Sequence, residues 1–162
     1  MDAALRDLYK RAMLGFCRAM FSADLGHGKA AEVLKRTWRE HGTYLARALG
    51  DGLCAPGGAL EDPVAAAAEL DRRFGEMLGF RGEIVERDGQ VITRWDHCPL
   101  WEEMKAQCLE KAFTCVAACD ALSAQMAEQV WPQVTFQRGN RKPHGGPCEK
   151  IWSLAEVAGG ER

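Results

Sequence analysis

The sequence predicts an α+β fold, with N-terminal helices followed by a four-stranded antiparallel sheet packed with helices. Three observations carry this. Apolar residues recur at three- and four-residue steps through the first half of the chain. After Gly79 the period changes to short runs with β-branched residues, the first two separated by Asp88-Gly89. Two further runs of that kind close the sequence after another helical stretch, and a sheet covered by helices buries all these faces economically.

From about Ala3 to Phe21, the residues Leu5, Leu8, Tyr9, Ala12, Met13, Phe16, Cys17 and Met20 form one stripe of a helix. Gly26 and Gly28 interrupt it. A second helix is expected from about Lys29 to Leu49, with Ala31, Leu34, Trp38, Leu45 and Ala48 on one face. Gly50 to Glu61, rich in glycine and carrying Pro56, reads as a surface loop. Asp62-Pro63 restarts a helix, because Asp can accept from free amides and Pro suits the first helical position. That helix runs to about Leu78 and buries Leu70, Phe74, Met77 and Leu78, with Gly79 as its stop.

Gly82 to Arg87 and Gln90 to Trp95 are expected to form a hairpin, since Asp88-Gly89 supplies the positive φ angles of a type I′ turn. A helix after Pro99 carries Leu100, Met104 and Cys108 on one side, and another from about Ala112 to Gln129 carries Cys115, Cys119, Leu122 and Met126. Trp131-Pro132 ends it. Val134 to Gln137 and Glu149 to Ser153 are the last two strands, joined by the basic, glycine-rich segment Arg138 to Pro147. Residues 1–157 are read as one domain and 158–162 as a frayed tail.

The chain has 162 residues, 47% hydrophobic and 27% charged, enough for one globular domain with a real core. Its net charge of -2 leaves no cationic surplus for nucleic acid, so no nucleic-acid partner is expected. No stretch approaches the roughly 20 apolar residues that span a bilayer, and the charged N-terminus does not read as a signal peptide. A cytoplasmic protein without a membrane partner is expected; a homo-oligomer stays open. Seven cysteines, an odd number, then point to reduced thiols that are buried or metal-bound. Cys17 and Cys54 read as small apolar core residues.

Between Asp96 and Cys148 the sequence concentrates soft and ionisable side chains: Asp96, His97, Cys98, Cys108, Cys115, Cys119, Asp120, His144 and Cys148. Cys98 ends a strand where a helix begins, a place where free amides favour a thiolate. Cys119 is mid-helix and Cys148 opens the last strand, so Cys98, Cys119 and Cys148 are expected to meet at one end of the sheet. Two readings of these thiols stand side by side. They bind zinc or one acts as nucleophile, or Cys115 and Cys119 merely continue the apolar stripe. The compact paired-cysteine spacing of zinc sites is absent. His97 would project away from its neighbour Cys98, which makes His144 the better imidazole for the pocket. His27 and His41 read as surface or helix-end residues. Arg138, Arg141 and Lys142 form a basic cluster, either a solvated loop or a lid that grips an anionic substrate through guanidinium groups. No phosphate loop, dinucleotide fingerprint or Gly-x-Ser-x-Gly elbow is present.

Asp96-His97-Cys98-Pro99-Leu100-Trp101, Cys115 to Asp120, Pro132 and Gly145-Gly146-Pro147-Cys148 together resemble the L-2-amino-thiazoline-4-carboxylic acid hydrolase family, over roughly residue 70 onward. Cys115 and the His-bearing glycine loop depart from that pattern. The fold so implied is similar to the vinyl-reductase-type ligand-binding domain of aromatic-sensing regulators, some of which hold zinc through cysteines. The resemblance implies a small-molecule hydrolase that opens a C–N/C–S heterocycle bearing a carboxylate. A thiolate or metal-bound water would attack the ring carbon, with Cys98, Cys119, Asp120 and Cys148 as the catalytic set. Asp120 would move the proton, and Arg138, Arg141 and His144 would bind substrate. Zinc, if present, would sit on Cys98, Cys119 and Cys148. A non-catalytic small-molecule or metal-sensing module, and an interaction protein with inert thiols, are the competing expectations.

Overall fold

The computed structural model describes residues 3–22, 26–50, 53, 62–106, 116–141 and 145–155. Three helices come first: α1 (Ala3–Ser22), α2 (His27–Leu49) and α3 (Pro63–Leu78). Then follow β1 (Arg81–Arg87), β2 (Gln90–His97), α4 (Pro99–Ala106), a π-helical turn (Val116–Asp120), α5 (Ala121–Val130), β3 (Val134–Arg138) and β4 (Cys148–Leu154). The strands form one antiparallel sheet in the order β1-β2-β4-β3. The expected α+β class, with N-terminal helices preceding a four-stranded antiparallel sheet, is therefore found.

Local sequence sets the element ends. Asp62 Oδ1 accepts from the Val64 amide at 2.9 Å, with Pro63 at the first helical position, so α3 starts as its residues require. It stops at Gly79, whose φ of 84° is left-handed. Asp88 and Gly89, with φ of 54° and 73°, make the tight turn of the β1–β2 hairpin. One expectation fails in detail. The helix read from Ala112 to Gln129 is described only from Val116, and its first described turn, Val116–Asp120, is π-helical rather than α-helical. Apolar spacing has no period that separates one π turn from an α-helix, and such turns often accompany functional sites.

The helical core is built from Met13, Leu14 and Cys17 of α1, Leu34 and Trp38 of α2, and Leu70, Phe74 and Leu78 of α3, all buried. The α1 stripe is narrower than its sequence pattern, because Leu8 and Phe16 lie exposed. Ala48 of α2 is exposed as well. Register pairs Thr93 with Lys150, Trp95 with Cys148, Phe136 with Trp152, and Arg138 with Lys150. Directly opposed residues share a face and alternate residues along a strand return to it. Trp95, Cys148, Lys150, Trp152, Phe136 and Arg138 therefore all stand on one face. That face also meets α3: a Cβ on Gly75 would lie 2.3 Å from the Trp95 ring.

Candidate functional site

Cys148, Lys150 and Arg138 come together because β3 and β4 are in register at one end of the sheet. Cys98 arrives there from the end of β2, and Cys119 from the π turn. Cys98, Cys119, Cys148, Arg138, Lys150 and Trp95 all line one cavity of about 30 Å³, with further apolar wall from α4. The structure thus brings the three cysteines of the expected site to one place.

Each sulfur meets a different neighbour. Cys98 Sγ accepts from the Trp101 amide at 3.4 Å, so it caps the start of α4. Cys119 packs against the helical core and lies near Tyr9. Arg138 Nη1 donates to Cys148 Sγ at 2.8 Å. The same guanidinium pairs with Asp120 through Nη2, and Arg141 stands 4.0 Å from the other carboxylate oxygen. Arg138 and Asp120 are 8% and 15% exposed, which makes this a mostly buried pair. Arg138 Nε is buried without a hydrogen-bond partner among the described residues.

Arg138 also forms part of a second, larger space. An open cleft of about 530 Å³ lies between α2 and the β3–α5 side, walled by Lys35, Arg36 and Arg39 opposite Asp120, Phe136 and Arg138. Its volume is in the range of small-molecule sites. The α2 cations were not anticipated. Their signal is the spacing Glu32, Lys35, Arg36 and Arg39, one face of a helix by its three- and four-residue steps.

Behind the cavity lies a buried polar network that the sequence reading also missed. Lys150 Nζ donates to Asp71 Oδ1 and, at 2.6 Å, to Ser123 Oγ, while Ser123 donates to Asp71 at 2.9 Å. Lys150 and Asp71 are 5% and 1% exposed. Such a pair holds α3, α5 and β4 in one arrangement, since a buried charge needs its partner. It could have been found as a charge at an inward position: Asp71 follows Leu70 in α3, and Lys150 alternates with Cys148 and Trp152.

Zinc on Cys98, Cys119 and Cys148 does not fit this arrangement. Among the described residues no group of three or more His, Cys, Asp or Glu side chains is placed to hold a metal ion. The physical reason is visible at Cys148, where a guanidinium occupies the approach that a dication would need. His144 and Lys142, and the cysteines Cys54, Cys108 and Cys115, lie outside the described residues, as do most of the Gly50–Glu61 loop and the tail 158–162. Gly145 and Gly146 both take positive φ, and Asn140 Nδ2 ties them down by donating to the Gly145 and Pro147 carbonyls. His97 is absent from the cavity wall. His41 is half-buried against Tyr9 and Trp38 rather than a surface residue, and burial holds its pKa below the usual value.

No helix of the described residues is long and apolar enough to cross a membrane. Comparison of the chain with protein-family models, curated proteins and solved structures finds no match.

Proposed function

We propose that this protein is a small-molecule hydrolase that opens a carboxylate-bearing heterocycle of the 2-amino-thiazoline-4-carboxylate type, with Cys148 as nucleophile. One observation carries the reading. The buried Arg138 touches Cys148 and Asp120 at once and also forms part of the wall of the open cleft. It links a thiol, a carboxylate and a site of small-molecule size in one side chain.

In this reading the substrate carboxylate enters the cleft and pairs with Arg141 and Arg138 in place of Asp120, since guanidinium groups bind carboxylates through paired donors. The Cys148 thiolate attacks the ring carbon between nitrogen and sulfur. The ring C–S bond breaks, the ring sulfur leaves as a thiolate that takes up a proton, and the carbon is held on Cys148 as an isothiourea. Water then attacks the same carbon, with Asp120 taking its proton, and displaces Cys148. One water is consumed, one substrate thiol is freed and an N-carbamoyl group is left. Cys98 and Cys119 shape the cavity and exclude water, and no step passes through a metal.

A second reading has its own support. The cysteine cavity of about 30 Å³ has room for about one water and not for a ring. That favours a module that binds a carboxylate in the cleft without reacting. Incubation with 2-amino-thiazoline-4-carboxylate, following free thiol release, separates the two. The hydrolase reading expects release by the wild type and loss of about 100-fold or more in Cys148→Ser, the scale of a removed nucleophile. Binding without release by folded wild type selects the second reading.

A further inference from the structure

We infer that the open cleft takes a small molecule with two anionic groups, one held at the Arg138 end, where Arg141 stands 4.0 Å from Asp120, and a second by Arg36, Arg39 and Lys35 of α2. This deepens the reading above and rests on the first group being held by Arg138 and Arg141. The evidence is a charge imbalance with a direction. The cleft wall carries Lys35, Arg36, Arg39 and Arg138 against Glu32 and Asp120, in a chain whose net charge is -2. A cationic surplus concentrated in one concave site focuses anions there.

Pairing within the protein does not use up the α2 cations. Lys35 contacts Glu32 at 3.1 Å, and Arg39 reaches Glu128 only at 3.9 Å. Both pairs are solvent-exposed and so are weak competitors for a ligand. Arg36 meets no acidic side chain at ion-pair distance among the described residues. On the other wall, Asp120 already balances the Arg138 guanidinium, and Arg138 Nε stays buried without a partner. A single carboxylate at Arg138 and Arg141 would leave Arg36 without an acidic partner among the described residues and Lys35 and Arg39 with only exposed ones.

Phe136 lines the cleft beside Arg138 and packs on Trp152 with ring centroids 5.0 Å apart, which restrains its plane. A fixed aromatic wall favours a flat ligand body. The second anionic group can be a carboxylate or a phosphate, since clustered guanidinium groups accept both.

Calorimetric titration of the full chain with four probes tests this: benzoate, benzene-1,4-dicarboxylate, phosphate and pyrophosphate. At least one probe with two anionic groups should bind about tenfold or more tighter than its one-group counterpart, a step of 1.4 kcal/mol. Preference within the benzoate pair assigns a second carboxylate, and preference within the phosphate pair assigns a phosphate. Both substituted side chains are exposed, so Arg36→Gln/Arg39→Gln should keep its circular dichroism spectrum and lose the preference. Equal affinities within both pairs, no binding of any probe, or a preference that survives in the double variant overturns the inference. The readout is binding, so a preference found without any thiol release would sink the hydrolase reading and leave this one standing.

Discussion

Gly75→Ala should destabilise the protein even though alanine is the better helix former. In an unconstrained helix interior the exchange stabilises by about 1 kcal/mol. Here the new Cβ would lie 2.3, 2.5 and 2.9 Å from three carbons of the Trp95 ring. Carbon atoms in good contact stand about 3.5–4.0 Å apart, so the ring must move by about 1 Å or more. It has little room. Trp95 is 2% exposed, sits edge-on to Phe80 with centroids 5.4 Å apart, and is held in register with Cys148. Overpacking of this kind costs about 1–3 kcal/mol, and a rigid ring backed by a sheet belongs at the upper end. With the propensity term set against it, the net loss is about 2 kcal/mol, or about 4–8 °C in Tm for a chain of this size. Thermal unfolding followed by circular dichroism measures it. Trp95→Leu in the Gly75→Ala background should recover part of the loss, since the smaller side chain makes room. A Gly75→Ala variant as stable as wild type, or more so, would refute the close α3–β2 packing that shapes the cysteine cavity.

Lys150→Met should cost about 3 kcal/mol in denaturant unfolding, because it strands a buried Asp71, and adding Asp71→Leu should restore more than half of that. A loss below about 1 kcal/mol in the single variant would contradict the buried pair. Stability should also fall on acidification. His41 has its pKa lowered by burial from 6.5, so its contribution is full above that value and is lost below it, as pH falls through the folded-state value. Glu69, lowered from 4.5 chiefly by its hydrogen bond from Arg72, adds a loss at lower pH as the medium passes its folded-state value. Tm should therefore drop as pH falls below about 6.5 and again below about 4.5, and His41→Gln should flatten the first of these drops. An unchanged slope in His41→Gln would show that its burial is not felt.

The elements whose signals are local were legible in the sequence. Asp62-Pro63, Gly79 and Asp88-Gly89 each dictate a backbone geometry by their own chemistry, and each is found where expected. The meeting of Cys98, Cys119 and Cys148 at one end of the sheet follows from Cys98 and Cys148 lying at strand ends and Cys119 mid-helix, and one cavity does take all three. What the sequence hid depends on pairing across distance. Lys150 reads as one more lysine until the β3–β4 and β2–β4 registers turn it inward beside Asp71 and Ser123. The α2 cations carry no local signal that β3 stands opposite them. The π turn that carries Cys119 and Asp120 has no period of its own. Zinc was suggested by counting sulfurs, and only coordinates reveal that Arg138 already holds one of them.

The central claim is that Arg138 delivers a carboxylate to a nucleophilic Cys148, and competitive alkylation tests it most directly. Free thiols react more slowly with the charged iodoacetate than with neutral iodoacetamide. Labelling native protein with each reagent under reducing conditions, then mapping the modified peptides by mass spectrometry, reads the order cysteine by cysteine. Cys148 should react faster with iodoacetate, while Cys17, which is buried among apolar side chains, should remain unlabelled by either. Arg138→Gln should restore the ordinary order at Cys148. A Cys148 that is inert to both reagents, or that prefers iodoacetamide in the wild type, would contradict the account.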